Sequence, residues 1–497
     1  MVKPKAVFST RNTRVFRVGK LDSLSRYECG KTAKTAITVI MENIAESRPL
    51  HVMHDVHVAE MNRLRRWLAG AEREAAVVGI CGPAGVGKTT AALQLAREHA
   101  GGRPILFVHA RGRSVAALAE ECARRVRMCE GDEVQRAVLV LDDVTCCNRV
   151  ASGMRVADLA AAGTLILATS RESLGMPSVD LRPWPVQTAR QFLVLRSGVH
   201  EHDVALLRIS ELLQGLPAAL DLIAAYLVES RLLVLPSDAL KWLADEHGRL
   251  LRHSLEVDLL LALEAALAFV YHRLTVVQQR VLRQLSVVDA PFDAAMAAEI
   301  SVDADGVLAD LQRRRLVVAD ETGDGFVMPQ SVRDYAQVRL SNSEGVAARM
   351  RYAASVTAGA KALGRRFSIG DVVGAMMGFD RLRRHIDAVF VGLQPEHHAL
   401  PTKAARLLAE MVDALHDILP LRLNAADVLL WQRMCVEALR RARDVRGEMG
   451  ACERLAALYE ADHDVDAAAE CHERVRLLQI EWSAERRSID LLARPLT

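Results

Sequence analysis

Residues 82 to 89 read Gly82-Pro83-Ala84-Gly85-Val86-Gly87-Lys88-Thr89. They match the pattern GxxxxGK(S/T), which forms a phosphate-binding loop where it follows a β-strand and opens a helix. An apolar run at 77–81 precedes these residues, and a helical pattern follows over 89–100. Glycines let backbone N–H groups curl around phosphate oxygens, and the helix N-terminus adds unpaired donors. The sequence therefore predicts a P-loop that binds a nucleoside triphosphate.

The side chains at the end of this loop carry the charge and the metal contact. Lys88 is expected to reach the β- and γ-phosphates, and the Thr89 hydroxyl is expected to ligate Mg²⁺. The predicted nucleotide-binding residues of this segment are Gly82, Pro83, Ala84, Gly85, Val86, Gly87, Lys88, Thr89 and Thr90.

Short apolar runs alternate with helical stretches between residues 75 and 183, which is typical of a parallel sheet covered on both faces. The predicted strands cover residues 77–81, 105–109, 137–141, 164–168 and 179–181. The segments between them are long enough to contain crossover helices. The fold class predicted for this part is an α/β P-loop NTPase with a five-stranded parallel sheet.

Two carboxylates follow the third predicted strand, in the run Ala-Val-Leu-Val-Leu-Asp-Asp at 137–143. They fall at the edge where α/β sheets bind their ligands. Asp142 is therefore predicted to hold Mg²⁺, and Asp143 to orient or activate the attacking water. The alternative is that this Asp pair caps the following segment.

An arginine follows the fourth predicted strand, in the run Leu-Ile-Leu-Ala-Thr-Ser-Arg at 165–171. Because parallel strands deliver their carboxyl ends to one edge, Arg171 is predicted to sense the γ-phosphate. The alternative is a surface arginine in a loop.

The periodicity becomes helical after the predicted sheet. Residues 274–340 contain three helical runs and then two short apolar runs around a turn, the order of a winged helix. Beyond residue 343 only helical periodicity is visible, with spacing typical of a tetratricopeptide-like unit near residues 455–468. The predicted domains are a basic segment (1–49), a P-loop domain (50–185), a helical subdomain (186–270), a winged helix (271–342) and a helical-repeat domain (343–497).

Composition limits the other classes of function. The net charge is +2 over 497 residues, so no global field drives binding to nucleic acid or anionic lipid. The longest apolar stretch, 259–270, is too short to span a bilayer. The nine cysteines include no CxxC pair and indicate reduced thiols. A soluble, cytoplasmic protein is expected, without a membrane partner.

Several smaller signals keep their alternatives open. The first 34 residues carry nine Lys and Arg, which suits a disordered basic arm, a nucleic-acid contact or a targeting address. A metal site at His51, His54 and His57 is not favoured, because no cysteine joins them. Arg313 to Arg315 indicate a solvated basic face more than a DNA contact. Cys146 and Cys147 have no partner at nucleophile-like spacing.

Four segments in this order resemble the NB-ARC type of STAND ATPases, an AAA+-related P-loop class, in its bacterial regulator form. They are the P-loop, residues 139–143, residues 168–171 and the run Gly-Leu-Pro-Ala-Ala-Leu at 215–220. The resemblance covers roughly residues 50 to 340. It implies that the cofactors are ATP or ADP with Mg²⁺, and that Pro217 packs on the adenine.

Two segments depart from the family pattern. Pro329 and Gln330 stand where the family has the His and Asp that help to hold ADP. A proline there offers neither an imidazole nor a backbone N–H to a phosphate. Upstream, residues 56–58 replace the family's Gly-Arg-Glu.

The resemblance implies an ATP/ADP switch in signalling or regulation, in which slow Mg²⁺-dependent hydrolysis, a weak ATPase activity, controls opening and assembly. The helical repeats suit a protein or peptide ligand, and nucleotide-dependent homo-oligomers are expected. Two other functions stay open: a DNA-binding transcriptional regulator that uses the winged helix, and a permanently ADP-bound scaffold.

Overall fold

The computed structural model describes residues 57–69, 76–101, 103, 105–110, 122, 137–144, 165–174, 176–200, 203–230, 234–251, 259–320, 325–392, 402–423 and 425–492. The chain forms two compact units: the first runs to Gly82 and resumes over Gly87–Leu181, and the second contains Pro83–Val86 and everything from Arg182 onward. Outside the described residues lie segment 1–49, His51, His54, Val56, Cys146 and Cys147.

The first unit contains a five-stranded parallel sheet. Its strands are β1 (Ala76–Cys81), β2 (Ile105–His109), β3 (Val138–Asp142), β4 (Leu165–Ser170) and β5 (Ser178–Asp180). Their order across the sheet is β2-β3-β4-β1-β5, so β1 lies between β4 and β5. All of β4 and the first four residues of β3 are buried, as expected for Val, Ile and Leu runs inside a parallel sheet. The predicted fold class is confirmed.

Two helices of this unit are fully described, α1 (Val58–Ala69) and α2 (Lys88–Ala100). The second of them packs on β1, β3 and β4. It buries small and aliphatic residues such as Ala92, Leu95 and Ala96, which suits close packing on a sheet. It begins one residue earlier than the sequence pattern indicates and ends at Ala100, with Gly101 as its C-cap at a φ of 53°.

The second unit begins with helices rich in Ala and Leu. They are α3 (Val186–Ser197), α4 (Val204–Leu212), α5 (Pro217–Glu229), α6 (Pro236–Leu251) and α7 (Leu259–Tyr271). Helix α5 packs on α3 and α7, and Tyr226 meets Phe269 edge to face at 4.9 Å. The apolar stretch noted in the sequence forms the buried α7. In the part of the chain that the structure describes, no helix is long and apolar enough to cross a membrane.

A helical segment with a hairpin follows. It comprises α8 (Val276–Leu285), α9 (Ala294–Ile300), α10 (Leu308–Arg313), β6 (Val318–Ala319), β7 (Phe326–Val327) and α11 (Gln330–Val338). The two strands are antiparallel, with Val318 opposite Val327. A capping box begins α8, where Thr275 accepts from the backbone of Gln278 and the Gln278 side chain accepts in return. Helices α8 and α10 are shorter than the helical runs at 274–288 and 305–315 in the sequence, whereas α9 matches the run at 294–300.

The rest of the described chain is helical. Its elements are α12 (Asn342–Ser368), α13 (Val372–Gly392), α14 (Thr402–Ala414), α15 (Leu419–Arg422), α16 (Ala425–Arg441), α17 (Val445–Ala461) and α18 (Val465–Leu492). Contacts run mainly between near neighbours along the chain, as in helical repeats. Buried Glu448 accepts from Arg440 (3.0 Å) and Arg474 (2.8 Å), which ties α16, α17 and α18 together.

Candidate functional site

The P-loop backbone has the conformation that its glycines allow. Gly82, Gly85 and Gly87 have φ values of 140°, 78° and 101°, in the region that favours glycine because it has no Cβ. The strand before the loop ends at Cys81, and α2 begins at Lys88. The phosphate-binding segment therefore connects a strand to a helix N-terminus, as its motif predicts. Thr90 lies in the first turn of the helix.

The Lys88 side chain folds back onto the P-loop. Its ammonium donates to the carbonyl oxygen of Gly82 at 2.9 Å. Burial is the largest influence on the Lys88 pKa and lowers it; the charge of Arg171 also lowers this pKa, while Asp143 and Asp142 raise it. The Lys88 ammonium is partly removed from water, and a less polar environment strengthens the attraction between a charged ammonium and phosphate.

Three side chains converge at the carboxyl edge of the sheet. Thr89 donates its hydroxyl to Oδ1 of Asp142 at 2.6 Å. The hydroxyl of Thr169, from β4, donates to the same oxygen at 2.8 Å. Hydroxyl and carboxylate oxygens are hard donors, and Mg²⁺ bound to a nucleotide takes one or two such ligands together with phosphate oxygens and waters. Thr89 and Asp142 therefore fit the metal contact predicted for them.

Asp143 adopts an unusual backbone conformation directly after β3. Its φ is 56°, and its N–H donates to Oγ1 of Thr169 at 2.9 Å. Nε of Arg171 lies 3.8 Å from Oδ1 of Asp143, with 43% of the arginine side chain exposed. The structure thus brings together Asp142, Asp143 and Arg171, the acidic pair and the arginine that the sequence places at strand ends.

Pro217 belongs to the second unit, at the first position of α5. It is buried, as is Leu216 before it. The next residue, Ala218, donates its backbone N–H to the carbonyl oxygen of Gly85 at 3.0 Å. The apex of the P-loop and the Gly-Leu-Pro turn are therefore in direct contact, within the second unit.

The segments that depart from the family pattern form ordinary packing contacts. Pro329 precedes α11 as its N-cap, and Gln330 donates to Asp334 at 2.7 Å. His57 is only 4% exposed, and burial lowers its pKa. Over the described residues, no group of three or more His, Cys, Asp or Glu could hold a metal ion.

The basic run near α10 has partners inside the protein. Arg313 pairs with Asp310. Arg314 forms a two-pronged pair with Glu229 on α5, at 2.6 and 3.1 Å. Arg315 lies 3.5 Å from Asp221 on the same helix.

Two contributors at the site are not evident from the sequence. The sequence predicts that the run at 165–171 brings hydroxyls to this edge, but it does not show that Thr169 bonds to both Asp142 and Asp143. Ala218 contacts the P-loop through its backbone N–H, and a sequence pattern cannot predict such a contact. Both emerge only from the hydrogen bonds described above.

Residues 46–176 match the family model described as an AAA domain. This span contains the P-loop, Asp142, Asp143 and Arg171, so the site lies in a P-loop ATPase domain of AAA type. Comparison with curated proteins finds no match.

Similar solved structures include other ATPases. A STAND protein with a tetratricopeptide repeat sensor from Pyrococcus horikoshii is 12% identical, with coverage of 84% of this chain and 77% of that one and a TM-score of 0.40. A Walker-type ATPase of Pyrococcus abyssi is 13% identical, covering 56% and 95%, with a TM-score of 0.27. A Drosophila ORC structure bound to DNA is 12% identical, covering 60% and 98%, with a TM-score of 0.23. At such low values the likeness says nothing about what this chain binds.

Proposed function

We propose that this chain is an ATP/ADP switch of the STAND class, of the NB-ARC type, and that it acts in signalling or regulation. The observation that carries the proposal is the convergence of Thr89, Asp142 and Thr169 beside a P-loop with an intact lysine. Such a site binds the phosphates of a nucleotide and holds its Mg²⁺.

The chemistry would be slow hydrolysis. Thr89 and Asp142 would hold Mg²⁺, which would neutralise negative charge on the phosphates. Asp143 orients a water molecule and accepts its proton, as that water attacks the γ-phosphorus and the bond to the β-phosphate oxygen breaks. Lys88 and Arg171 stabilise the charge that develops on the transferring group. The products are ADP and phosphate.

Regulation requires that the two nucleotides bind the protein's states differently. A ligand shifts a conformational equilibrium only by its difference in affinity between the states. Arg171, 43% exposed beside Asp143, suits a contact that ATP makes and ADP does not. Hydrolysis then ends the signal, so slow turnover serves as a timer.

The remaining parts of the chain would supply input and assembly. The helices after residue 343, which we assign to tetratricopeptide-like repeats, offer a surface for a protein or peptide ligand. The segment from α8 to α11 would be the winged helix, and the domain limits given from the sequence stand as proposals. Nucleotide-dependent homo-oligomers and a cytoplasmic location complete the proposal.

The decisive experiment identifies the nucleotide that copurifies with the protein and follows ATP-driven assembly by light scattering. Lys88→Ala and Asp142→Ala are compared with wild type, and Lys241→Ala, an exposed lysine on α6, is the control. Bound ADP and ATP-driven assembly in wild type and control, both lost in the two site variants, would support the switch. Permanent ADP without exchange would support a scaffold, and a protein that carries and binds no nucleotide would refute both.

A further inference from the structure

The apex of the P-loop packs closely against the start of α5. The Ala218 N–H donates to the Gly85 carbonyl oxygen at 3.0 Å. A Cβ added to Gly85 would lie 2.9 Å from Cβ of Ala218 and 3.4 Å from Leu263, so the two backbones approach as closely as glycine permits. Gly85 also has a φ of 78°, which disfavours any side chain there.

The position of α5 is itself fixed by the turn before it. The Trp184 N–H donates to the Gly215 carbonyl oxygen at 2.9 Å, and the Gly215 N–H donates to Ser210 at 3.1 Å. The Trp184 ring packs edge to face on Phe192 at 5.2 Å. Pro217 is the first residue of the helix and has no N–H, so Ala218 carries the first backbone donor of α5.

Peptide geometry gives this hydrogen bond a consequence for phosphate binding. In a trans peptide the C=O of Gly85 and the N–H of Val86 point in opposite directions. The Ala218 N–H holds the Gly85 oxygen on the side of the loop that faces α5. The Val86 N–H therefore points the other way, toward the inside of the loop. There the Val86 nitrogen lies 3.4 Å from the Pro83 oxygen, a long contact that a phosphate oxygen can replace.

We propose that the Ala218 N–H is a positioning group for the phosphate-binding loop: it holds the Gly85–Val86 peptide in the orientation that receives phosphate. Nucleotide affinity then depends on the position of the start of α5 against the P-loop. The inference rests on the proposed nucleotide binding and adds a regulatory contact to it. This role of Ala218 toward the phosphates is separate from the packing on the base that the family resemblance implies for Pro217.

The test compares two substitutions at one position. Ala218→Pro removes the N–H, whereas Ala218→Gly keeps the N–H and removes only the methyl group. Calorimetry measures the Kd of Mg-ATP and of magnesium tripolyphosphate, which has no base. We expect Ala218→Pro to weaken both by about 5- to 10-fold, the worth of one hydrogen bond, and Ala218→Gly to stay within about twofold. Pro217→Ala should weaken ATP alone.

Two results would overturn the inference: Ala218→Pro binding both ligands like wild type, or Ala218→Gly losing as much affinity as Ala218→Pro. The first would show that the N–H is not needed, and the second that the methyl packing matters instead. If Ala218→Pro does not fold, incorporation of the hydroxy-acid analogue of alanine at 218 removes the same N–H. A wild-type protein that binds no ATP would refute the proposed function and this inference together.

Discussion

The Thr169 hydroxyl donates to the Asp142 carboxylate at 2.8 Å and also accepts the Asp143 N–H at 2.9 Å. One buried hydroxyl from β4 therefore orients the last residue of β3 and the residue after it. The two strands are paired in register next to it, with Leu141 opposite Ala168. The direction of the acidic pair is thus set by the neighbouring strand as well as by its own.

Thr169→Val should impair the site without unfolding it. Valine has nearly the same shape, but it neither donates to Asp142 nor accepts from Asp143. A hydrogen bond to a charged group is worth about 1.5–3 kcal/mol, so we expect ATP affinity in Mg²⁺ to fall by about 10- to 100-fold. Thr169→Ser, which keeps the hydroxyl, is the control. Unchanged affinity in the valine variant would contradict the orienting role.

Arg171→Ala should reduce the difference between ATP and ADP. If Arg171 contacts the γ-phosphate, its removal should lower the affinity for ATP by about 10-fold or more and change the affinity for ADP by no more than about twofold. Fluorescence titrations with both nucleotides measure the ratio, and Arg171→Lys tests whether charge alone suffices. Equal losses for ATP and ADP would mean that the arginine stabilises the site through Asp143, 3.8 Å away.

The sequence predicts the sheet from its apolar runs. It predicts the charged residues of the site from the P-loop pattern and from their positions after two of the strands. Asp142, Asp143 and Arg171 meet as expected, since parallel strands end at one edge. The roles of Thr169 and Ala218 could not be predicted in this way. A hydroxyl near a strand end is common, and a backbone N–H has no residue signature. Each role depends on a partner that is distant in sequence. For Thr169 the partner is Asp142, 27 residues away.

Gly215→Ala should be strongly destabilising. An added Cβ would lie 1.9 Å from the Trp184 carbonyl oxygen, and φ at this position is 66°. Clash and left-handed strain together should cost about 3 kcal/mol or more in free energy of unfolding. Gly370→Ala is the matched control, since its φ is 94° but nothing lies within 4 Å. Denaturant titration should show a loss of only about 1–2 kcal/mol there. Similar losses in both would contradict the clash.

Arg314→Ala should lower the free energy of unfolding. Because Arg314 is paired inside the protein, we expect it to have no role in contacting DNA. Its guanidinium pairs with Glu229 and also donates to the Arg273 carbonyl oxygen at 3.2 Å. Losing these bonds should cost about 1–3 kcal/mol. Arg313→Ala, with 61% of the side chain exposed, should stay within about 0.5 kcal/mol. If both variants instead weaken a salt-dependent DNA complex and retain wild-type stability, the DNA-binding alternative is favoured.

A buried histidine should make stability depend on pH. Nδ1 of His385 on α13 and the Tyr352 hydroxyl are hydrogen-bonded at 2.9 Å, and burial, aided by the charge of Arg384, lowers the pKa of His385 to about 4. The unfolded chain, with a histidine pKa near 6.5, therefore binds more protons between pH 6.5 and 4. The free energy of unfolding should fall as pH drops through this window, by up to about 3 kcal/mol from this group. His385→Gln can hydrogen-bond Tyr352 without titrating, so acidification should lower the denaturation midpoint of wild type relative to that of the variant. A constant difference between the two midpoints would refute the prediction.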